Sequence, residues 1–145
     1  MPEATQNYDN HTRWHFSYHF ILFPLNLFHV GSMTVQLYQA PSFPGFEALL
    51  VAGGFLMLQV VGRRSAVKAQ DRIIRLEEQL RYEKVLPAAL VEQACALPER
   101  LIIALRFAPD EELPDLAQQV VDGKFTTPKE IKLAVKNWRA DHFRV

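Results

Sequence analysis

The sequence predicts an all-α protein: a two-helix transmembrane hairpin, then a long connector helix and a small cytosolic helical domain. Three observations carry this. No Asp, Glu, Lys or Arg occurs from Trp14 to Phe46, nor from Ala48 to Gly62, whereas about a quarter of residues in an ordinary globular chain are charged. The two expected spans are separated by "QAPSFPG", residues 39–45, whose prolines, serine and glycine stop one helix and permit the next. Beyond Gly62 the charges return in short amphipathic segments with recognisable helix starts and stops.

The elements follow in order. Residues 1–13 form an N-terminal cytosolic tail carrying Glu3 and Asp9. Without a compact basic start or a small-x-small cleavage site, the apolar run behind it is expected to be an uncleaved anchor. Residues 14–62 form the hairpin, with spans over about 16–38 and 46–62. A bilayer core takes roughly 20 helical residues, with a working range of about 17 to 25. The first span fits, and the second is short enough to stand upright or thin the bilayer. Arg63, Arg64 and Lys68 follow the second span, while the turn has no Lys or Arg. The positive-inside rule then places both termini in the cytoplasm of a cell with its inner, plasma membrane around it. Trp14, Phe16, Tyr18 and Phe20 suit the inner interface, and Tyr38, Phe43 and Phe46 the outer.

Stepping alternately by four and three along the first span puts His15, His19, Leu22, Asn26, His29, Met33 and Gln36 on one seam. Polar side chains facing lipid are costly, so this seam should face protein or water, with Pro24 able to kink it. The matching face of the second span is Ala48, Ala52, Phe55, Gln59 and Gly62, in which Ala48 and Ala52 make a small-xxx-small pair. Asn26, Gln36, Ala48, Ala52 and Gln59 are therefore expected at the helix–helix interface, with Gln59 at the depth of His19. A second reading takes His15, His19 and His29 as metal or haem ligands, with His11 completing a four-residue spacing. Against it, no carboxylate stands nearby to orient an imidazole. The hairpin reading needs no cofactor.

Residues 63–86 read as a basic amphipathic connector helix. Ile73, Leu76, Leu80 and Val85 make its apolar stripe, and Asp71 with Arg75 and Glu77 with Arg81 are i, i+4 pairs. The stripe is short of the three or four heptads of a coiled coil. Residues 87–145 form the cytosolic domain. One stripe is Leu90, Val91, Ala94 and Cys95. Pro98 opens a helix packed through Leu101, Ile102 and Leu105, and Asp110 can cap the next, which Gly123 ends. Thr127 and Glu130 spell a capping box with Pro128 at the first helical position. Ile131, Ala134, Val135 and Trp138 should be buried, with Lys129, Lys132, Lys136 and Arg139 on the opposite face.

Function classes narrow by exclusion. Sixteen basic and sixteen acidic residues balance, and no DNA-binding motif accompanies the basic face, so nucleic acid is not an expected partner. Cys95 is the single cysteine, so no intrachain disulfide forms, and it suits a small core residue. No phosphate-binding glycine loop, nucleophile elbow or zinc motif occurs, and enzymatic activity is not expected. The expected partners are the bilayer, a protein or a second copy of the chain. Arg63, Arg64, Lys129, Lys132, Lys136 and Arg139 are the candidates for contact with anionic headgroups or such a partner. The function so predicted is a membrane-anchored interaction or scaffold protein with a helical docking domain. The alternative is a histidine-based metal- or haem-binding redox subunit.

Four stretches together, "QNYDNHTRWHFSYHF", "KAQDRIIRLEEQLR", "LIIALRFAPDEELP" and "PKEIKLAVKNWRADHFRV", resemble a family of short bacterial membrane proteins of unknown function. The resemblance spans nearly the whole chain. It implies two spans with a cytosolic helical tail and brings no catalytic residues.

Overall fold

The computed structural model describes residues 6–12 and 14–141; Arg13, expected beside the inner interface, lies outside them. Every regular element among these residues is helical. A π-helical turn, Ser17–Leu22, leads into α1 (Phe23–Gln39), followed by α2 (Phe43–Val85), α3 (Ala88–Cys95), α4 (Glu99–Leu105), α5 (Leu113–Val121) and α6 (Pro128–Ala134). Two units divide the chain. The first is Trp14–Lys68, and the second joins residues 6–12 to residues 69–141.

In the first unit the π turn has a local cause. Pro24 has no N–H to donate to the preceding turn, and Phe23 reaches back five residues to the Tyr18 carbonyl. Such a turn inserts one residue into the helical ladder. The three-and-four stepping assumed from His15 onward therefore slips upstream of Pro24. Pro24 itself sits in the tolerant first turn of α1. Ser42 Oγ accepts from the Gly45 N–H at 3.2 Å at the start of α2. A Cβ on Gly45 would come within 3.2 Å of Leu37 Cδ1, so glycine lets the two helix ends meet.

Three contacts fix the direction of α2 against α1: Gly45 with Leu37, Gln59 with Asn26, and Arg63 with Tyr18. One number rises as the other falls, so the helices run antiparallel. Ser17–Gln39 and α2 are long and apolar enough to cross a membrane by length and composition, and their most apolar windows are 0% and 6% buried.

The second unit has a core of its own. The last part of α2 supplies Tyr82, and Ile102, Leu105, Phe107, Leu113 and Ile131 fill the centre, all fully buried. Prolines set the rhythm: Pro87 and Pro98 precede α3 and α4, while Pro114 and Pro128 occupy the first turns of α5 and α6. Gly123, at φ 78°, closes α5. Lys124 N–H reaches the Gln119 carbonyl and Gly123 N–H the Val120 carbonyl, an arrangement that a left-handed residue makes available. The Thr127–Glu130 capping box is formed in both directions.

Two expectations need correction. Asp110 does not cap α5; the N-cap is Glu112, and Asp110 instead accepts from Arg81. The last helix also stops at Ala134, with Val135 extended at ψ 123°. The Glu112 carboxylate takes the N–H groups of Lys136 and Asn137, each at 3.0 Å. Those are the donors that would have continued the helical ladder.

Candidate functional site

Within the first unit, His19 Nδ1 lies 3.0 Å from the His15 carbonyl oxygen and 3.1 Å from its amide nitrogen. The Trp14 and Tyr18 rings stand nearly perpendicular to its imidazole, with ring centres 5.0 and 4.9 Å away. His29 is exposed on α1, ten residues beyond His19 and therefore about 15 Å along the axis. The four-residue spacing of His11, His15 and His19 has no helix beneath it, because residues 11 and 15 are not helical. Among the described residues no group of three or more His, Cys, Asp or Glu side chains is gathered as metal ligands.

The interhelical contact is narrower and turned relative to the expected seam. Asn26 Nδ2 donates to Gln59 Oε1 at 2.8 Å, so Gln59 meets Asn26 rather than lying level with His19. Ala52 is 1% exposed. Ala48 and Gln36 face outward, and Gln36 donates to Ser32 on its own helix at 3.1 Å. The half-buried line on α1 is Asn26, Val30, Met33 and Leu37, and on α2 it passes through Leu49, Ala52, Leu56 and Gln59. Phe55 is off this line at 59% exposed. The close approach at Gly45, and not the alanine pair, sets the rotation. Gln59 Nε2 is buried without an acceptor among the described residues. Arg63 stands 5.6 Å from the Tyr18 ring centre, and Arg64 is exposed.

In the second unit an open groove of about 1010 Å³ runs between the end of α2, the 106–111 segment and residues 139–141. Its floor is a charged cluster absent from the sequence-based candidates. Glu78 is 3% exposed. Its two oxygens meet Arg81 at 3.1 Å and Arg139 at 3.2 Å. Arg81 also grips Asp110 at 2.6 Å and the Ala108 carbonyl at 2.8 Å, so it serves Glu78 and not the expected Glu77. Burial pushes the Glu78 carboxyl above the usual carboxylate range, while the charges and hydrogen bonds of Arg81 and Arg139 pull it back without reversing the shift. Beside it the fully buried Tyr82 hydroxyl has no partner among the described residues. Burial, then the Glu78 charge, drives its ionisation far upward.

Arg106 is 5% exposed and joins Asp141 at 2.9 Å and the Ile103 carbonyl at 2.7 Å, with Phe107 beneath it at 4.1 Å. Chemically, these ion pairs tie three chain segments together across a groove wall of mixed charge. Cys95 lies apart from the cluster, half-buried, its thiol pushed up by burial and then by Glu83, and is held as a thiol.

The basic candidates at the C-terminal end are dispersed. Lys129 and Lys136 are exposed. Lys132 Nζ sits 3.1 Å from His11 Nε2, and Arg139 turns to Glu78. Because α6 ends at Ala134, Lys136 and Arg139 do not continue its face. His11 stacks among Tyr8, Phe107 and Trp138 at 5.5 to 5.9 Å. An ammonium has only donors, so Nε2 accepts and Nδ1–H donates to the Tyr8 carbonyl at 2.5 Å.

The signal that could have found the Glu78 cluster was the i, i+4, i+8 series Ile74, Glu78, Tyr82, with Val85 nearby. A glutamate in its middle made it look solvated.

Compared with known proteins, residues 1–145 match the model of a family described as "Family of unknown function (DUF6526)". No curated protein and no solved structure matches the chain.

Proposed function

The chain belongs to that family of unknown function, and from its own residues we propose that it is a membrane-anchored interaction protein. Ser17–Gln39 and the first part of α2 form a transmembrane hairpin in the inner membrane. Both ends of the chain lie in the cytoplasm, and the second unit is a helical docking domain there. The observation that carries this is the contrast in burial. The second unit closes a full core, while the apolar windows of the two long helices are 0% and 6% buried. Phe28 at 75%, Met57 at 69% and Leu58 at 67% are typical of the surface left open. Contiguous apolar surface beyond a few hundred Å² is rare on soluble monomers, and lipid is the solvent that accepts it.

Orientation rests on Arg63, Arg64 and Lys68 behind the second span, against a turn without Lys or Arg. These side chains would meet anionic headgroups, each contributing about 1 kcal/mol near such a surface. Exposed Lys129 and Lys136 are available to lipid or an acidic protein. The metal or haem reading gains no support from the dispersed histidines. Alkaline carbonate washing of membranes from cells making the full chain tests the anchor. The protein should stay with the pellet and leave only in detergent; release as a folded monomer would overturn the reading.

A further inference from the structure

The part of α2 in the second unit has two faces. Ile74, Glu78, Arg81, Tyr82 and Val85 turn toward the core and its groove. About 155° away around the helix at 100° per residue, Ile73, Leu76 and Leu80 remain 58%, 58% and 52% exposed, with Ala69 exposed in line. The order Ala69, Ile73, Leu76, Leu80 is the d, a, d, a spacing of a heptad. Among the described residues no segment of the second unit covers Ile73 or Leu76, and Leu80 borders the groove.

We propose that this stripe is the contact for a second copy of the same chain, packed parallel and in register. The flanking charges select that occupant. In a parallel pair, position g of one helix meets position e of the next heptad on its partner. With Ile73 at a, Arg72 is a g residue and Glu77 the e residue it meets, and twofold symmetry makes the pair twice. Arg72 and Glu77 are both exposed. The next g–e pair is Gln79 with Lys84, which carries no repulsion. An antiparallel pair, which layers a against d, would instead set Arg72 against Gln79 and Glu77 against Gln70, and so lacks the ion pair. Two heptads are too short to hold helices together in water. Here the inference rests on the membrane anchor: two copies of α2 leaving one bilayer in the same direction are already aligned and concentrated, as tethered modules are.

Disulfide trapping in membranes tests this, on the full chain with Cys95→Ala. Ile73→Cys and Leu80→Cys should each form a disulfide-linked homodimer, because facing a positions lie within disulfide reach. Arg75→Cys, on the far side of α2, is the control and should be trapped roughly fivefold less. Trapping at both stripe positions requires the parallel register, since an antiparallel pair can align only one of them with itself. In the Leu80→Cys chain, Glu77→Arg should reduce trapping roughly fivefold, and adding Arg72→Glu should restore it.

Trapping no greater than at Arg75, trapping at one stripe position only, adducts to a different protein, or insensitivity to the charge changes would overturn the proposal. Carbonate fractionation of the same samples reads the anchor separately. A pelleted protein that is not trapped sinks the stripe alone, and a soluble one trapped at both positions sinks the anchor alone.

Discussion

Replacing Arg81 with methionine removes a guanidinium while keeping most of the apolar stem, which isolates the charge. Four contacts go: two to Asp110, one to the Ala108 carbonyl and one to Glu78. The Asp110 side chain is 63% exposed, so that pair contributes at most about 1 kcal/mol. The Ala108 carbonyl loses a donor, at about 1–3 kcal/mol. Glu78 keeps only Arg139, whose side chain is 52% exposed against 5% for the carboxylate. A buried ion pair broken on one side costs about 3–5 kcal/mol in all.

Trp138, stacked on Phe107 at 4.6 Å, reports the unit by fluorescence in a Trp14→Phe background. For a unit of this size each kcal/mol moves Tm by about 4–8 °C, so a fall of at least about 12 °C is expected. The pH dependence has a definite sign. Burial already raises the Glu78 carboxyl above its usual range, and removing Arg81 raises it further. A raised acid binds its proton more tightly when folded. Its stabilising contribution is therefore fully present below the ordinary carboxylate pKa and is lost as pH rises through the higher folded value. The Tm deficit of Arg81→Met should accordingly shrink as pH is lowered to about 5. A deficit under about 1 kcal/mol, or one that grows on acidification, would refute the argument.

Three further outcomes are expected. Asn26→Leu and Gln59→Leu, measured singly and together by unfolding in mixed micelles, should couple by about 0.6–2 kcal/mol; strict additivity would separate the two side chains. Glu112→Gln should loosen the 135–139 segment, seen as faster amide exchange at Lys136 and Asn137. Burial raises the Glu112 carboxyl, but the Lys136 and Asn137 hydrogen bonds outweigh it and the net shift is downward, so its contribution is present at neutral pH and lost as acid protonates it. Thr127→Ala removes the side-chain acceptor of the capping box and should cost about 1 kcal/mol, read as Tm.

What the sequence revealed was mostly local. Pro98, Pro128, Gly123 and the Thr127–Glu130 pair mark helix ends by their own backbone chemistry, and those ends are where the structure has them, whereas α5 takes its N-cap two residues beyond the Asp110 expected to cap it. What escaped it was decided at a distance. The stop after Ala134 comes from Glu112, over twenty residues earlier. Ile74–Tyr82 and Ile73–Leu80 are two apolar lines on one helix, and only the packed domain shows which is covered. The π turn before Pro24 shifts the histidine seam in a way that three-and-four stepping does not register. Residues 6–12, part of the expected N-terminal cytosolic tail 1–13, pack through His11 against Phe107 and Trp138, a contact between distant parts of the sequence.

The orientation of the hairpin is tested most directly by labelling single cysteines in right-side-out vesicles with a membrane-impermeant maleimide. In the Cys95→Ala chain, Gln39→Cys at the turn between α1 and α2 should label at once. Lys129→Cys on α6 should label only after the bilayer is opened. Labelling of Lys129→Cys in sealed vesicles, or protection of Gln39→Cys, would contradict the account.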